Sequence, residues 1–289
     1  MDLKESRAEI TSVIIPDGVT DIGKSAFENC TNLTSVNLPN SLENIAEIAE
    51  MMGMKFAQGN AFKGCTKLKN INIPNSVNEI GPFTFSGCTS LTNVVIPDNV
   101  EFIYGDTFSG CTSLTNVTIP NSVKSIVYTA FDNTPWLTNL RQSNNGLAIA
   151  GDGVLFNGIA ATGNVTVPNS VKKISPSAFY YNSNITGLVI TEGVTEIGGD
   201  AFNSCRNITN ISLPSTLKKI GSQAFYWGCN VENLIIPSSV EIIDNYAFGC
   251  WNQNYPDTIA TVGWKEGNKP EGWYDGWEYD FNNIIYANE

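Results

Sequence analysis

The stretch LTNVTIPNSVKSIVYTAF, residues 114–131, is one copy of a pattern that repeats along most of this 289-residue sequence. Each copy ends in a phenylalanine that lies 23 residues after the previous one, and a proline and a leucine keep the same period. A fixed period of this length is typical of repeat architectures. The repeated phenylalanines are Phe62, Phe85, Phe108 and Phe131, then Phe179, Phe202, Phe225 and Phe248, with Phe27 displaced by an insertion.

Each repeat is too short to bury its own apolar side, so neighbouring repeats must stack around a shared core. The L-T-x-V-x-I segment is β-branched and alternates between apolar and polar residues, which predicts a short strand. The proline that follows ends the strand because it cannot donate to a ladder. The A-F-x-x-C segment predicts a tight turn that buries its phenylalanine. The sequence therefore predicts a solenoid of about ten stacked coils.

A glycine follows the V-x-x-I segment in several repeats, at Gly23, Gly81, Gly198 and Gly221. Glycine is the residue best suited to a turn with positive φ. We therefore expect this position to adopt such a turn.

Repeats such as residues 114–131 and 208–225 resemble the BspA-like, or Treponema-type, leucine-rich repeats, and the resemblance covers nearly the whole chain. It implies an α/β repeat fold, in which residues 1–289 form a single right-handed leucine-rich-repeat solenoid with parallel strands on the concave face. It also implies an adhesin, since members of this family contact matrix proteins or other cells. An argument from fold to function is one of analogy.

The regular spacing fails in three places, and each failure predicts a local addition to the array. Residues 46–57 are an insertion within a repeat, whose composition favours a short helix that packs its methionines and Phe56 back on the coils. Residues 132–163 contain Asn145-Gly146 and a Gly-Asp-Gly cluster, which predict an irregular coil with a β-hairpin that could divide the array. Residues 257–289 are rich in tryptophan and are predicted to cap the last coil.

The composition excludes several kinds of partner. Sixteen basic residues against 28 acidic residues give a formal net charge of −12, which repels phosphate backbones, so nucleic acid is not expected. Membrane insertion is not expected either, because no run of about 18 apolar residues occurs. The first ten residues are too charged for a signal peptide, so we expect none in this sequence.

Catalysis is not expected, because the sequence contains no histidine. Its absence removes the Ser-His-Asp and Cys-His arrangements and the commonest metal ligand. We predict no catalytic residues, no metal site and no cofactor. Carboxylates near the end of the chain, including Asp275 and Asp280, match no calcium loop and are interpreted as a solvated acidic tail.

The cysteines follow the repeat. Stacked coils would bring neighbouring members within about 5 Å, which is close enough for a disulfide. We favour buried reduced thiols, since a small apolar group at this position fills the core. Five cysteines lie three residues after a repeat phenylalanine: Cys30, Cys65, Cys88, Cys111 and Cys205.

The candidate binding surface is formed by the outward positions of the strands. If the aliphatic residues point inward, then asparagine, serine and threonine side chains line the opposite face in successive coils. Such a face is either a solvated sheet or a docking surface for an extended ligand. We call it the polar stripe, and it comprises Ser35, Asn37, Asn70, Asn72, Asn93, Asn116, Thr118, Asn210, Ser212 and Asn233.

These observations predict a non-catalytic protein-binding module of a cell-surface or secreted protein, whose partner is an extracellular matrix protein, a cell-surface protein or a glycan. A first alternative is a carbohydrate-binding module with an aromatic platform of Trp264, Trp273 and Trp277, because indole rings combine an apolar face with a polar edge. A second alternative is a structural spacer that presents another domain. The oligomeric state is open.

Overall fold

In a computed structural model, residues 7–51, 54–227, 231–249 and 258–287 are described. These residues form a parallel-strand β-solenoid of about 11 turns with few helices. It divides into two compact units, Met1–Leu140 and Arg141–Glu289, where the sequence predicts one array over residues 1–289.

In the first unit, the L-T-x-V-x-I segments form three-residue strands and the V-x-x-I segments form two-residue strands. Equivalent strands of successive repeats pair in parallel, as in β1 with β2 and β7 with β9. Asn93 lies opposite Asn116, so the sequence period is also the register of the ladder. The strands are β1 Ser12–Ile14, β2 Ser35–Asn37, β3 Asn44–Ile45, β4 Glu47–Met51, β5 Met54–Gln58, β6 Glu79–Ile80, β7 Asn93–Val95, β8 Phe102–Ile103, β9 Asn116–Thr118 and β10 Ser125–Ile126.

The described residues of the second unit form one seven-stranded sheet in the order β11-β12-β14-β16-β18-β20-β22 and two three-stranded sheets, β13-β15-β17 and β19-β21-β23. All these pairs are parallel except the β11–β12 hairpin. The strands are β11 Ala148–Ala150, β12 Val154–Asn157, β13 Gly163–Val167, β14 Lys173–Ile174, β15 Ile185–Ile190, β16 Glu196–Ile197, β17 Asn210–Ser212, β18 Lys219–Ile220, β19 Asn233–Ile236, β20 Ile242–Ile243, β21 Ile259–Val262, β22 Gly272–Trp273 and β23 Asn283–Ile285.

The repeat phenylalanines form the core of both units. In the first unit, the rings of Phe85 and Phe108 are parallel to within 10°, with their centroids 5.4 Å apart. In the second unit, Phe179 and Phe202 stack at 4.7 Å. The turn is held between coils as well, since the Phe85 amide donates to the carbonyl of Thr107 at 2.8 Å. The repeat phenylalanines therefore build an aromatic stack within each unit.

The five cysteines of the repeat column are buried free thiols. Burial is the main cause that raises the pKa of the Cys111 thiol to about 12. Four of these thiols donate to a carbonyl of the preceding coil. Cys88 Sγ donates to the carbonyl of Phe62 at 3.2 Å, and Cys111 Sγ donates to that of Phe85 at 3.1 Å. The column therefore fills the core and satisfies turn carbonyls.

The expected turn with positive φ at the four repeat glycines is wrong, since the residues with positive φ lie elsewhere. Close packing explains these glycines better. A Cβ on Gly198 would lie 2.5 Å from the Pro176 nitrogen, and one on Gly221 would lie 2.5 Å from the Gly199 nitrogen. Gly23 differs, because nothing lies within 4 Å of its added Cβ.

The helix expected in the insertion at 46–57 is also wrong. The segment forms an antiparallel hairpin of β4 and β5, in which Glu47 lies opposite Gln58 and Met51 opposite Met54. Phe56 is 42 % exposed, so it does not pack back on the coils.

Within 132–163 the structure has both a helix, α1 Pro135–Ser143, and the β11–β12 hairpin. Thr134 caps the helix, since its hydroxyl accepts the amide of Leu137 at 3.2 Å. Pro135 occupies the first helical position, where its missing N–H costs nothing. The hairpin turn lies at the Gly-Asp-Gly cluster, as predicted, whereas Asn145-Gly146 follows the helix. The helix is an addition to the expected irregular coil.

The described part of 257–289 continues the sheets of the second unit. Strand β22 pairs with β20, and β23 pairs with β21. A short 3₁₀ helix, Trp277–Asp280, lies between β22 and β23.

Candidate binding surface

All ten residues of the polar stripe are exposed. Seven of them belong to the first unit and three to the second. In the strands that carry them the central residue points inward and the flanking residues point outward, as in Ser35–Asn37 and Asn210–Ser212.

In the first unit, successive asparagines of the stripe lie side by side. Asn70 is bridged in parallel to Asn93, and Asn93 pairs with Asn116. Residues paired in this way are about 4.8 Å apart. Their side chains therefore form a row of amides along the face.

The threonines that precede the strands play a different part. The hydroxyl of Thr34 donates to the carbonyl of Thr11 at 3.0 Å, and that of Thr209 donates to Thr186 at 3.2 Å. These hydroxyls join one coil to the next. These two threonine hydroxyls are therefore engaged within the fold.

The second outward position of the strands also carries apolar residues, which the sequence analysis missed. Val95 and Ile235 follow an inward aliphatic residue directly, in the segments NVVIP and NLIIP. Because neighbours in a strand point to opposite faces, three aliphatic residues in a row force the middle one outward. The exposed fractions are 77 % for Ile14, 54 % for Val95, 40 % for Val189, 67 % for Ile235 and 47 % for Ile285.

The second unit has an asparagine pair around a glycine. Strand pairing places Gly187 beside Asn164 and Asn210. A Cβ on Gly187 would lie 2.3 Å from Asn164 Oδ1 and 2.7 Å from Asn210 Oδ1. Both amides therefore occupy the space above the glycine, and Asn164 joins the candidate residues.

A shallow cleft of about 340 Å³ opens on the same face, lined by Thr209, Asn210, Ile211, Glu232 and Asn233. It lies where β17 and β19 belong to different sheets. Backbone hydrogen bonds therefore do not close the face at this point.

The tryptophans of the alternative platform are packed into the end of the second unit. Trp273 and Trp277 are each 2 % exposed, and their centroids are 4.8 Å apart in an edge-to-face contact. The Trp273 indole N–H donates to the Val240 carbonyl at 3.1 Å. Trp264 is half-buried and packs edge-to-face against Trp273. This burial removes the basis for a sugar-stacking platform made of these three rings.

The interpretation of the terminal carboxylates as a solvated tail is wrong for Asp280. This residue is 8 % exposed and accepts the Tyr274 hydroxyl. Burial raises the pKa of Asp280 to about 6, and the hydrogen bond from Tyr274 opposes part of that rise. Asp275 is exposed and pairs with Lys269 at 2.8 Å, and this hydrogen bond lowers its pKa.

Within the described residues, no group of three or more Cys, Asp or Glu side chains is placed to hold a metal ion. Among the helices of the same residues, none has both the length and the apolar character needed to cross a bilayer.

The sequence matches the model of a known repeat family. The model of the BspA type leucine rich repeat region matches residues 5–49, 54–152 and 152–254 in six copies. No curated protein matches the sequence.

Solved structures of bacterial leucine-rich repeat proteins are similar in fold. A leucine rich cell surface protein from Faecalibacterium prausnitzii is 25 % identical, with a TM-score of 0.43 over 96 % of this chain and 79 % of that one. A leucine-rich repeat protein from Bacteroides ovatus is 22 % identical, with a TM-score of 0.42 over 97 % and 85 %. The pneumococcal vaccine antigen PcpA is 21 % identical, with a TM-score of 0.47 over 96 % and 66 %.

Proposed function

Because this chain belongs to the BspA-type leucine-rich repeat family, we propose that it is a non-catalytic adhesion module that binds a protein partner through the outward strand face. The partner is an extracellular matrix or cell-surface protein, and the module acts at the cell surface or after secretion. The location comes from the family resemblance.

One observation carries this proposal. The outward face combines a row of asparagine amides with exposed aliphatic side chains, among them Val95 and Ile235. A face built only to be solvated would not need large aliphatic groups, whereas protein interfaces combine apolar contacts with polar groups that fix register.

The same face is rigid before any partner binds. Parallel pairing fixes Asn93 against Asn116, and the threonine hydroxyls tie successive coils together. A preformed surface loses little conformational entropy on association. Such a surface suits an extended partner that runs along the strand ladder.

The test is binding of immobilised protein to fibronectin and to fibrinogen, measured by biolayer interferometry. The double variant Asn93→Arg/Asn116→Arg places two bulky charges on the stripe of the first unit. We expect it to weaken binding about tenfold or more, since blocking a central contact costs more than 1.4 kcal/mol. Binding equal to that of the unaltered protein would contradict the proposal.

Asn78→Arg is the matched control. Asn78 is an exposed asparagine of the same unit that precedes β6, away from the stripe. We expect this control to bind like the unaltered protein. An equal loss in both variants would indicate a general charge effect instead of a blocked surface.

The proposed location is tested separately by labelling intact cells of the source organism with an antibody raised against the chain. We expect labelling without permeabilisation. Labelling only after permeabilisation would contradict a surface location.

A further inference from the structure

A second surface of the second unit, formed by the turns that follow the repeat phenylalanines, carries a cleft of about 350 Å³. This volume falls in the range of small-molecule sites. The cleft is lined by Tyr180, Tyr181, Asn203, Ser204, Arg206, Tyr226 and Trp227.

The cleft spans three consecutive turns. The Tyr181 amide donates to the Asn203 carbonyl at 3.0 Å, and the Ser204 amide donates to the Tyr226 carbonyl at 2.9 Å. Tyr181, Ser204 and Trp227 thus occupy equivalent positions in stacked coils. With about 4.8 Å per coil, the two aromatic residues are about 10 Å apart, and the small Ser204 lies between them.

The repeat position of these residues carries backbone strain. Its φ is positive in every repeat where the structure describes it, and the first unit has glycine or asparagine there, as at Gly87 (φ 72°) and Asn133 (φ 60°). The second unit places Tyr181 there at φ 59° and Trp227 at φ 53°. Bulky residues are disfavoured in this left-handed region. Strain of this kind is concentrated at functional sites.

The two bulky residues are also exposed, Tyr181 to 62 % and Trp227 to 45 %. Core packing therefore does not explain why these two residues adopt a strained conformation. Tyr180 contacts Tyr181 edge-to-face at 4.6 Å, and the Arg206 guanidinium lies 5.6 Å from the centre of the Trp227 ring. These contacts hold both exposed rings in place.

The floor of the cleft is polar and fixed. Asn203 and Ser204 are 7 % and 5 % exposed, and the Ser204 hydroxyl donates to Asn203 Oδ1 at 2.9 Å. Asn203 in turn donates to Asp200 Oδ1 at 2.7 Å. Aromatic walls thus enclose a set of hydrogen-bonding groups, with Arg206 as a donor at the rim.

We propose that this cleft binds a hexopyranose ring of a glycan, independently of the protein-binding face. A pyranose has an apolar face of C–H groups, which packs on aromatic rings, and a rim of hydroxyls, which bond to Arg206 and the polar floor.

The test is isothermal titration of the whole protein with maltohexaose, cellohexaose and chitohexaose as neutral probes, and with polygalacturonate and hyaluronan as carboxylated probes. We expect at least one probe to bind. Comparison of the neutral probes with the carboxylated probes shows whether Arg206 binds a hydroxyl or a carboxylate. The absence of binding to all five probes would overturn the proposal.

The variants Trp227→Asn and Tyr181→Asn remove the rings and place a residue that tolerates positive φ. We expect each to weaken glycan binding about tenfold or more while the melting temperature stays the same or rises. Retained affinity in both variants would overturn the proposal, and so would loss of affinity explained by a lower melting temperature.

Tyr246→Asn is the matched control, since Tyr246 is another exposed tyrosine with positive φ (57°) and lies outside the cleft. We expect it to leave glycan affinity unchanged. All three variants should keep the binding of the unaltered protein to fibronectin and fibrinogen, so failure of the glycan site is distinguishable from failure of the protein-binding proposal.

Discussion

The close stacking of coils at the repeat glycines predicts opposite effects for the same substitution in two repeats. Gly198→Ala places a Cβ 2.5 Å from the Pro176 nitrogen, 2.8 Å from the Ser175 carbonyl carbon and 2.9 Å from the Pro176 Cα. These are backbone atoms of the preceding turn, so no side chain can rotate away. Gly23→Ala, at the equivalent repeat position, meets nothing within 4 Å.

The magnitudes follow from these distances. Contacts below 3.0 Å require the preceding turn to shift, and overpacking of this kind costs about 1–3 kcal/mol. For a unit of this size the loss corresponds to about 2–12 °C in melting temperature. Gly23→Ala adds no clash at a position without positive φ, so the reduced freedom of the unfolded chain should stabilise the protein by about 0.4–1 kcal/mol.

The assay is thermal unfolding followed by circular dichroism, with hydrogen exchange to locate the effect. Since each coil contacts only its neighbours, loss of protection in Gly198→Ala should concentrate in β14, β16 and β18, which pair with one another. Equal destabilisation by both substitutions, or none by Gly198→Ala, would refute the packing explanation.

Three further predictions concern the core, the thiols and the end of the second unit. Phe202→Ala should lower the free energy of unfolding in guanidinium by about 3–5 kcal/mol, because its buried ring stacks on two others. The control Phe56→Ala, at an exposed position, should lower it by less than about 0.5 kcal/mol. Similar losses in both variants would be inconsistent with the stack. Cys88 should resist iodoacetamide in the native protein, since burial raises its thiol pKa, and rapid native labelling detected by mass spectrometry would argue against a buried column. The Asp280 carboxyl has a folded pKa of about 6 against an ordinary 3.8, so it binds a proton more tightly when folded, and stability should fall as pH rises from about 4 to 6. Asp280→Asn should remove this pH dependence and raise stability at pH 7 by at most about 3 kcal/mol. An unchanged pH profile of stability in denaturant titrations would contradict the assignment of the pH dependence to Asp280.

The regular part of the fold was predictable because the same residues set the period and the register. Val94 points inward and Asn93 points outward in the repeated N-V strand, and the 23-residue step fixes which residues pair. The buried phenylalanine and cysteine columns follow from the same step. Periodicity is a strong signal because the same pattern recurs in every repeat.

The irregular segments were less predictable because short patterns fit more than one structure. The insertion was interpreted as a helix from its composition, although helix propensity is a weak guide. The dipeptide Thr134-Pro135 is a helix-start signal that the analysis of 132–163 did not use. The packing role of the repeat glycines could not be predicted, because it depends on the distance between coils. The sequence of a single repeat does not give this distance.

The candidate site was predictable in position but not in character. Alternation placed Asn116 and its neighbours outward, yet the exposed Val95 and Ile235 were left out of the polar stripe because aliphatic residues are usually buried. The tryptophans differ from the prediction in the opposite direction. One alternative placed Trp273 and Trp277 on an exposed platform, but both are buried. Sequence periodicity assigns a face, whereas exposure depends on what packs against it.

The most direct test of the binding face is protection of a single introduced thiol by the bound partner. Thr118→Cys places an exposed thiol on the stripe, and Asn78→Cys places one outside it; maleimide labelling of each is followed by mass spectrometry with and without bound fibronectin or fibrinogen. The account predicts that the partner slows labelling at position 118 about tenfold or more and leaves position 78 unchanged. Equal labelling at position 118 with and without the bound partner would contradict the assignment of the strand face as the binding surface.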